Sequence, residues 1–187
     1  MGTQTNPVRA KLICALLATN TDYLLQAKKQ LVKIFGSIES ESALIPFHFT
    51  EYYCDEMGNE ILRQYISFSY LMNQEDIHII KIKTNLLERN EFSVEFKRHV
   101  NLDPGFITLD KLVLATTKPA TYRIYLGKGI YAQSTLYFQN GSFHPWEWTY
   151  PDYRYHKTID FFNSVRNYFK VQLNQRPEIN HTKEIVR

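Results

Sequence analysis

Five side chains between positions 101 and 123 are of types that grip an anionic small molecule: Asn101, Asp103, Lys111, Lys118 and Arg123. A guanidinium forks onto a phosphate or carboxylate, and an ammonium adds a compact positive charge. A carboxylate accepts a substrate hydroxyl, takes a proton or ligates magnesium. Asp103 is therefore the candidate catalytic residue, with a divalent metal left open. Asn101, Lys111, Lys118 and Arg123 are candidates for binding the ligand. Each has a plainer reading. Asn101-Leu102-Asp103-Pro104-Gly105 has the residues of a turn, where Asn and Asp side chains bond nearby backbone amides. Lys111 and Lys118 flank an apolar run as solvated lysines commonly do.

The residues that follow read as a β-hairpin around Gly127-Lys128-Gly129. That loop sets Tyr125 opposite Tyr131 and Arg123 opposite Gln133. The four share a polar-aromatic face, while Ile124, Leu126, Ile130 and Ala132 take the core face. Tyr125 and Tyr131 would form an aromatic wall for the ligand, or the outer face of a half-solvated antiparallel sheet. Further on, Trp146 and Trp148 read as a hydrophobic plug under a loop. Tyr150, Asp152 and Arg154 surround Pro151 at a helix start, a position suited to anions.

Several chemistries lack their residues. The chain has no Gly-x-x-x-x-Gly-Lys-Ser/Thr loop, no Gly-x-Gly-x-x-Gly, no His-Glu-x-x-His and no Gly-x-Ser-x-Gly. No motif for NAD, FAD or a P-loop nucleotide is present. His48-Phe49-Thr50 matches half of a two-histidine phosphoesterase signature, but that chemistry needs a second such tripeptide to pair acid with base.

The elements that must position these groups follow from periodicity. Residues 12–18 are a continuous apolar run, read as a buried strand. Thr21 or Asp22 caps a helix with Leu24, Ala27, Leu31 and Ile34 on one stripe, ended by Gly36. Residues 38–47 look extended, residues 47–58 form a polar aromatic loop, and residues 60–70 form a strand. Asn73 and Asp76 open a second helix along Ile77, Ile80, Thr84 and Leu87. A closing strand at 97–102 completes a ferredoxin-like split β-α-β opening. Residues 111–116, 121–126 and 130–138 then supply an antiparallel extension. Asn140-Gly141 makes a tight turn, and a C-terminal helix carries Ile159, Phe162, Val165, Phe169 and Leu173. The fold class is α+β in a single domain spanning 1–187, with an ordered core at 8–174 and a polar tail at 175–187.

Composition agrees with one globular domain: 44% hydrophobic and 22% charged residues. The net charge of +3 is too small to argue for nucleic acid from field strength. Two cysteines, Cys14 and Cys54, lie far apart in sequence, as in a reduced cytoplasmic protein. No apolar run approaches a membrane span, and the N-terminus lacks a signal-peptide layout. The oligomeric state is not legible.

Six motifs together resemble a prokaryotic family known as domain of unknown function 4416. They are Phe47-His48-Phe49-Thr50-Glu51-Tyr52-Tyr53, Asn101-Leu102-Asp103-Pro104-Gly105, Lys111-Leu112-Val113-Leu114-Ala115-Thr116, Arg123-Ile124-Tyr125-Leu126-Gly127, Gly129-Ile130-Tyr131 and Trp148-Thr149-Tyr150-Pro151-Asp152-Tyr153-Arg154. The similarity covers residues 8–173. In that family an aspartate is more usual where His48 stands, which counts against the phosphoesterase reading. Some members carry a GTP-binding label, which the missing P-loop does not support. The resemblance implies a single compact domain and no set activity.

The leading expectation is a small cytoplasmic enzyme or binding domain for an anionic ligand bearing phosphate or carboxylate, a nucleotide included. One alternative is an RNA or single-stranded nucleic-acid module that stacks bases on Tyr125, Tyr131 and Tyr137. Another is a protein-interaction scaffold presenting the aromatic loop at 146–153.

Overall fold

The computed structural model describes residues 2–95 and 97–175, so the tail expected at 175–187 falls outside it from residue 176 onward. Strand β1 (Ala10–Ala18) is buried along its whole length. A strand apolar on both faces needs a layer against each. Leu12, Cys14 and Leu16 face one layer, while Ile13 and Ala15 face the other.

The first layer is helical. Helix α1 (Thr21–Phe35) buries Leu24, Ala27, Leu31 and Phe35. Its cap is Asn20 rather than Thr21 or Asp22: the Asn20 side chain accepts from the Tyr23 N–H at 2.9 Å, and Asp22 stands in the first turn. Strands β2 (Ile38–Glu41) and β3 (Ile45–Pro46) pair with one side of β4 (Leu62–Met72), so Pro46 occupies an edge position, where a missing N–H is tolerated. The 47–58 loop contains a short helix, α2 (Cys54–Met57). A 3₁₀ turn at Gln74–Asp76 precedes α3 (Ile77–Glu91). Asn73 donates to the Asp76 carboxylate at 3.2 Å instead of capping a backbone amide.

The expected closing strand at 97–102 is displaced. Lys97–Arg98 (β6) forms a separate two-stranded ribbon with Ser93–Val94 (β5), and β7 runs from Val100 to Ile107. Pro104 and Gly105 are therefore strand residues, not a turn. Pro104 registers opposite Cys14 and Gly105 opposite Ile13. The order β7-β1-β4-β2 is antiparallel throughout, with α1 and α3 on one face, and it is the ferredoxin-like arrangement.

Beyond β7 the sheet continues through β8 (Lys111–Thr116), β10 (Ile130–Gln139) and β11 (Ser142–Pro145), with β9 (Ile124–Gly127) also on β10. This gives a nine-stranded sheet among the described residues. Asn140 (φ 49°) and Gly141 (φ 86°) make the tight turn into β11. Tyr125 pairs with Tyr131 as expected. Ile124 is not a core residue: it is 71% exposed at the start of β9, which pairs with β10, while Leu126 and Ala132 pack against the first core layer.

Helices α4 (Pro151–Arg154) and α5 (His156–Gln175) cover the second face. Phe162, Val165 and Tyr153 pack there with Ile13, Tyr65, Leu112 and Phe143. No helix among the described residues is long and apolar enough to cross a membrane.

Gly105 carries the closest approach in the sheet. A Cβ there would sit 2.4 Å from the Val113 carbonyl and 2.8 Å from Leu114 Cδ2. Gly105→Ala is expected to destabilise the protein by about 1–3 kcal/mol, the usual range for overpacking. An unchanged urea midpoint would contradict that close approach.

Candidate functional site

Strands β7 and β8 are paired only from Gly105 to Ile107. In an antiparallel ladder alternate residues turn their backbone groups to opposite sides. Leu102 and Pro104 turn theirs away from β1, toward the position that β8 vacates. Pro104 has no N–H to leave unmet. Leu102 has both groups, and two side chains of α3 replace the missing strand. The Leu102 N–H donates to Glu88 Oε1 at 2.7 Å, and Lys81 Nζ donates to the Leu102 carbonyl at 2.8 Å. A cleft of about 870 Å³ opens where the strands part. Its walls come from the 47–56 segment, α3, the β8–β9 connection and the start of α4.

Asp103 lies within this cleft with its side chain 27% exposed. Lys81 Nζ is 3.2 Å from Oδ1, and Asn101 Nδ2 donates to Oδ2 at 2.7 Å. Burial alone would raise the Asp103 pKa. The charges of Lys81 and Arg63 and the bonds from Lys81 and Asn101 outweigh it and hold the carboxyl below its ordinary range. The turn-local bonds expected of Asn101 and Asp103 do not form, because a strand offers no folded-back amides. Their side chains bond each other.

At the mouth, the Arg123 N–H closes a turn onto the Ala120 carbonyl at 3.0 Å. Each nitrogen of the Arg123 guanidinium then has one partner: Nε with Gln133 Oε1 (2.9 Å), Nη1 with the Lys118 carbonyl (2.8 Å) and Nη2 with the Tyr150 hydroxyl (2.5 Å). Both Nη atoms carry a further N–H. Lys118 Nζ sits 3.6 Å from the centre of the Tyr52 ring, linking the β8–β9 connection to the opposite wall. Burial raises the Tyr150 pKa, the Arg123 charge opposes this, and the Asp103 charge adds to it.

The floor is Arg63, which is 3% exposed. Nη2 pairs with Asp152 Oδ2 at 2.7 Å, and the same oxygen accepts from the Tyr65 hydroxyl at 2.9 Å. The guanidinium is flanked by the Phe47 and Tyr65 rings. Its Nε and Nη1, Gln133 Nε2 and the Tyr153 hydroxyl are buried without a hydrogen-bond partner among the described residues. All three residues line the cleft. Farther along, Arg98 is held by Glu88 (2.5 Å) and Glu56 (2.9 Å).

The structure thus brings Asn101, Asp103, Lys118, Arg123, Tyr150 and Asp152 into one cleft and leaves Lys111, Tyr125, Tyr131 and Arg154 outside it. Lys111 begins β8 at the far end, 3.7 Å from Asp110. Tyr125 and Tyr131 pack against each other on the outer hairpin, with ring centres 5.1 Å apart and planes tilted by 53°. Arg154 is a loop clamp, donating to the carbonyls of Thr149, Trp146 and Glu147. Trp146 and Trp148 stack at 5.2 Å and are half-buried, with both indole N–H groups bonded to Ser134. Arg63, Lys81, Glu88 and Gln133 are new to the site. Lys81 and Glu88 were readable as charges on the buried stripe of α3.

These features define an α+β protein whose split sheet, with helices on both faces, frames one basic cleft. The chain belongs to the family described as Domain of unknown function (DUF4416), which matches residues 8–169. No curated protein and no solved structure gives a significant match. Among the described residues no group of three or more His, Cys, Asp or Glu is disposed to hold a metal ion.

The Asp103 pKa is depressed in the folded state, so its carboxylate contributes stability above its ordinary value near pH 4, lost as pH falls through the folded value. Glu88, raised chiefly by burial, works in the opposite sense. Urea midpoints measured from about pH 6 to pH 2 should fall less steeply below about pH 4 in Asp103→Asn than in the unsubstituted protein. Parallel acid limbs would contradict the assigned electrostatics.

Proposed function

We propose that the cleft binds an anionic small molecule bearing phosphate or carboxylate, with Arg123 and Lys118 receiving the anion. The observation that carries this reading is the direction of the unmet hydrogen-bonding capacity. Arg63, Gln133 and Tyr153 hold buried groups without partners among the described residues, and three of those four atoms are N–H donors. The cleft carboxylates already have cations: Asp152 has Arg63, Asp103 has Lys81, and Glu56 and Glu88 share Arg98. Six basic against four acidic residues line the cleft, which leaves a positive excess. An acceptor-rich anion complements such a surface.

Asp103 serves the reading better as an ionised acceptor than as a general base, because a depressed pKa makes a weak base. Lys81 beside it also opposes a divalent cation. The nucleic-acid reading fares less well. Tyr125 and Tyr131 occupy each other, and Tyr137 packs on His144 and Trp146. The scaffold reading meets half-buried tryptophans with satisfied N–H groups. We place the protein in the reduced cytoplasm of a prokaryote, a setting that suits two free cysteines, Cys14 buried and Cys54 partly so.

A thermal-shift titration with inorganic phosphate tests the reading. Phosphate at a hundredfold excess over its dissociation constant adds about 2.7 kcal/mol of stability. The stabilisation should disappear in Arg123→Ala and survive in Lys111→Ala, which lies outside the cleft. Equal loss in both variants, or none in either, would overturn the assignment.

A further inference from the structure

Resting on that anion-binding reading, we infer that the ligand is a phosphorylated polyol, with its phosphate at Arg123 and Lys118 and a hydroxyl donating to Asp103. The cleft holds two kinds of unspent capacity. At the mouth, Arg123 is fixed by three contacts and keeps an N–H on each Nη, beside an ammonium that has no carboxylate in contact among the described residues. A fork next to a point charge matches a phosphate, which has three oxygens and up to two negative charges.

Deeper in, Asp103 offers the opposite capacity. It is the partly exposed carboxylate of the strand gap, and Lys81 and Asn101 each take only one lone pair of a different oxygen. A carboxylate has about four such acceptor sites. Its ionised state excludes a second anionic group at that point, so a dicarboxylate or diphosphate reaching it would meet repulsion. A neutral donor meets none, and the hydroxyl is the donor a phosphate ester of a polyol supplies. Asn101, Lys81 and the strand pairing of Asp103 with Ala15 hold the carboxylate in place, so the bond is preorganised. The cleft, at about 870 Å³, has room well beyond a bare phosphate and lies within the range of small-molecule sites.

Calorimetric titration with inorganic phosphate, ribose and ribose 5-phosphate separates the two levels of the argument. Ribose 5-phosphate should bind about tenfold or more tighter than phosphate, as one hydrogen bond to a charged acceptor provides. Ribose alone should bind far more weakly than its phosphate. In Asp103→Asn the advantage over phosphate should shrink while phosphate affinity persists. In Arg123→Ala both should be lost. Should Asp103→Asn fail to fold, Asp103→Glu keeps the charge and moves the oxygens by one methylene, and it must shrink the same advantage. If ribose 5-phosphate and phosphate bind alike, or their difference survives both Asp103 substitutions, the polyol inference is overturned and the anion reading stands. If none of the three probes binds, both are overturned.

Discussion

The structure turns on how the backbone of Leu102 is satisfied once β8 leaves β7. A strand inside a sheet has donors and acceptors on both sides, and a buried one left unmet costs about 1–3 kcal/mol. Here the neighbouring strand departs at Pro104, a residue with one fewer group to satisfy, and Lys81 and Glu88 bond Leu102 from α3. Burying an ammonium and a carboxylate is itself unfavourable without partners. Asp103 supplies one for Lys81 and Arg98 one for Glu88. A gap in the sheet is thereby converted into a fixed array of charges around a cavity. The same pairings that stabilise the gap leave Arg123 and Lys118 without a carboxylate in contact among the described residues.

The second helical layer completes the enclosure. A ferredoxin-like sheet with helices on one face leaves its other face open. In this chain α4 and α5 cover that face, and Asp152 arrives at the start of α4 to meet Arg63 from β4. Tyr65 and Phe47 close over the guanidinium. The cleft is what remains between that cover, the 47–56 segment and the strand gap. Its chemistry therefore derives from long-range packing: Arg63 and Asp152 are 89 positions apart, and Lys81 and Asp103 are 22 apart.

What was legible in the sequence was local. Period-two alternation and the Gly127-Lys128-Gly129 loop were enough to place Tyr125 against Tyr131 and to bring Arg123 to Gln133, whose side chains bond at 2.9 Å. Strand β8 falls at 111–116 as read. The split β-α-β order followed from two amphipathic helices between apolar strands. The failures were tertiary. Pro104-Gly105 has the residues of a turn, yet it lies in β7 because it pairs with Cys14 and Ile13 of β1, a circumstance no local window contains. Ile124 alternates correctly but lies exposed at the start of β9, where no covering layer reaches it among the described residues. Nothing within residues 60–70 marks Arg63 as buried, since α5, which covers that side of the sheet, lies nearly a hundred residues later. Lys81 and Glu88 were the missed signal, because charges on the apolar stripe of a helix require partners.

Anomalous diffraction from a crystal soaked in tungstate, a phosphate-like oxyanion with a strong tungsten signal, tests the central claim most directly. A tungsten peak is expected in the cleft, with its oxygens within hydrogen-bond reach of Arg123 Nη1 or Nη2 and of Lys118 Nζ. A peak found only elsewhere on the surface, or a cleft without one at saturating tungstate, would contradict it.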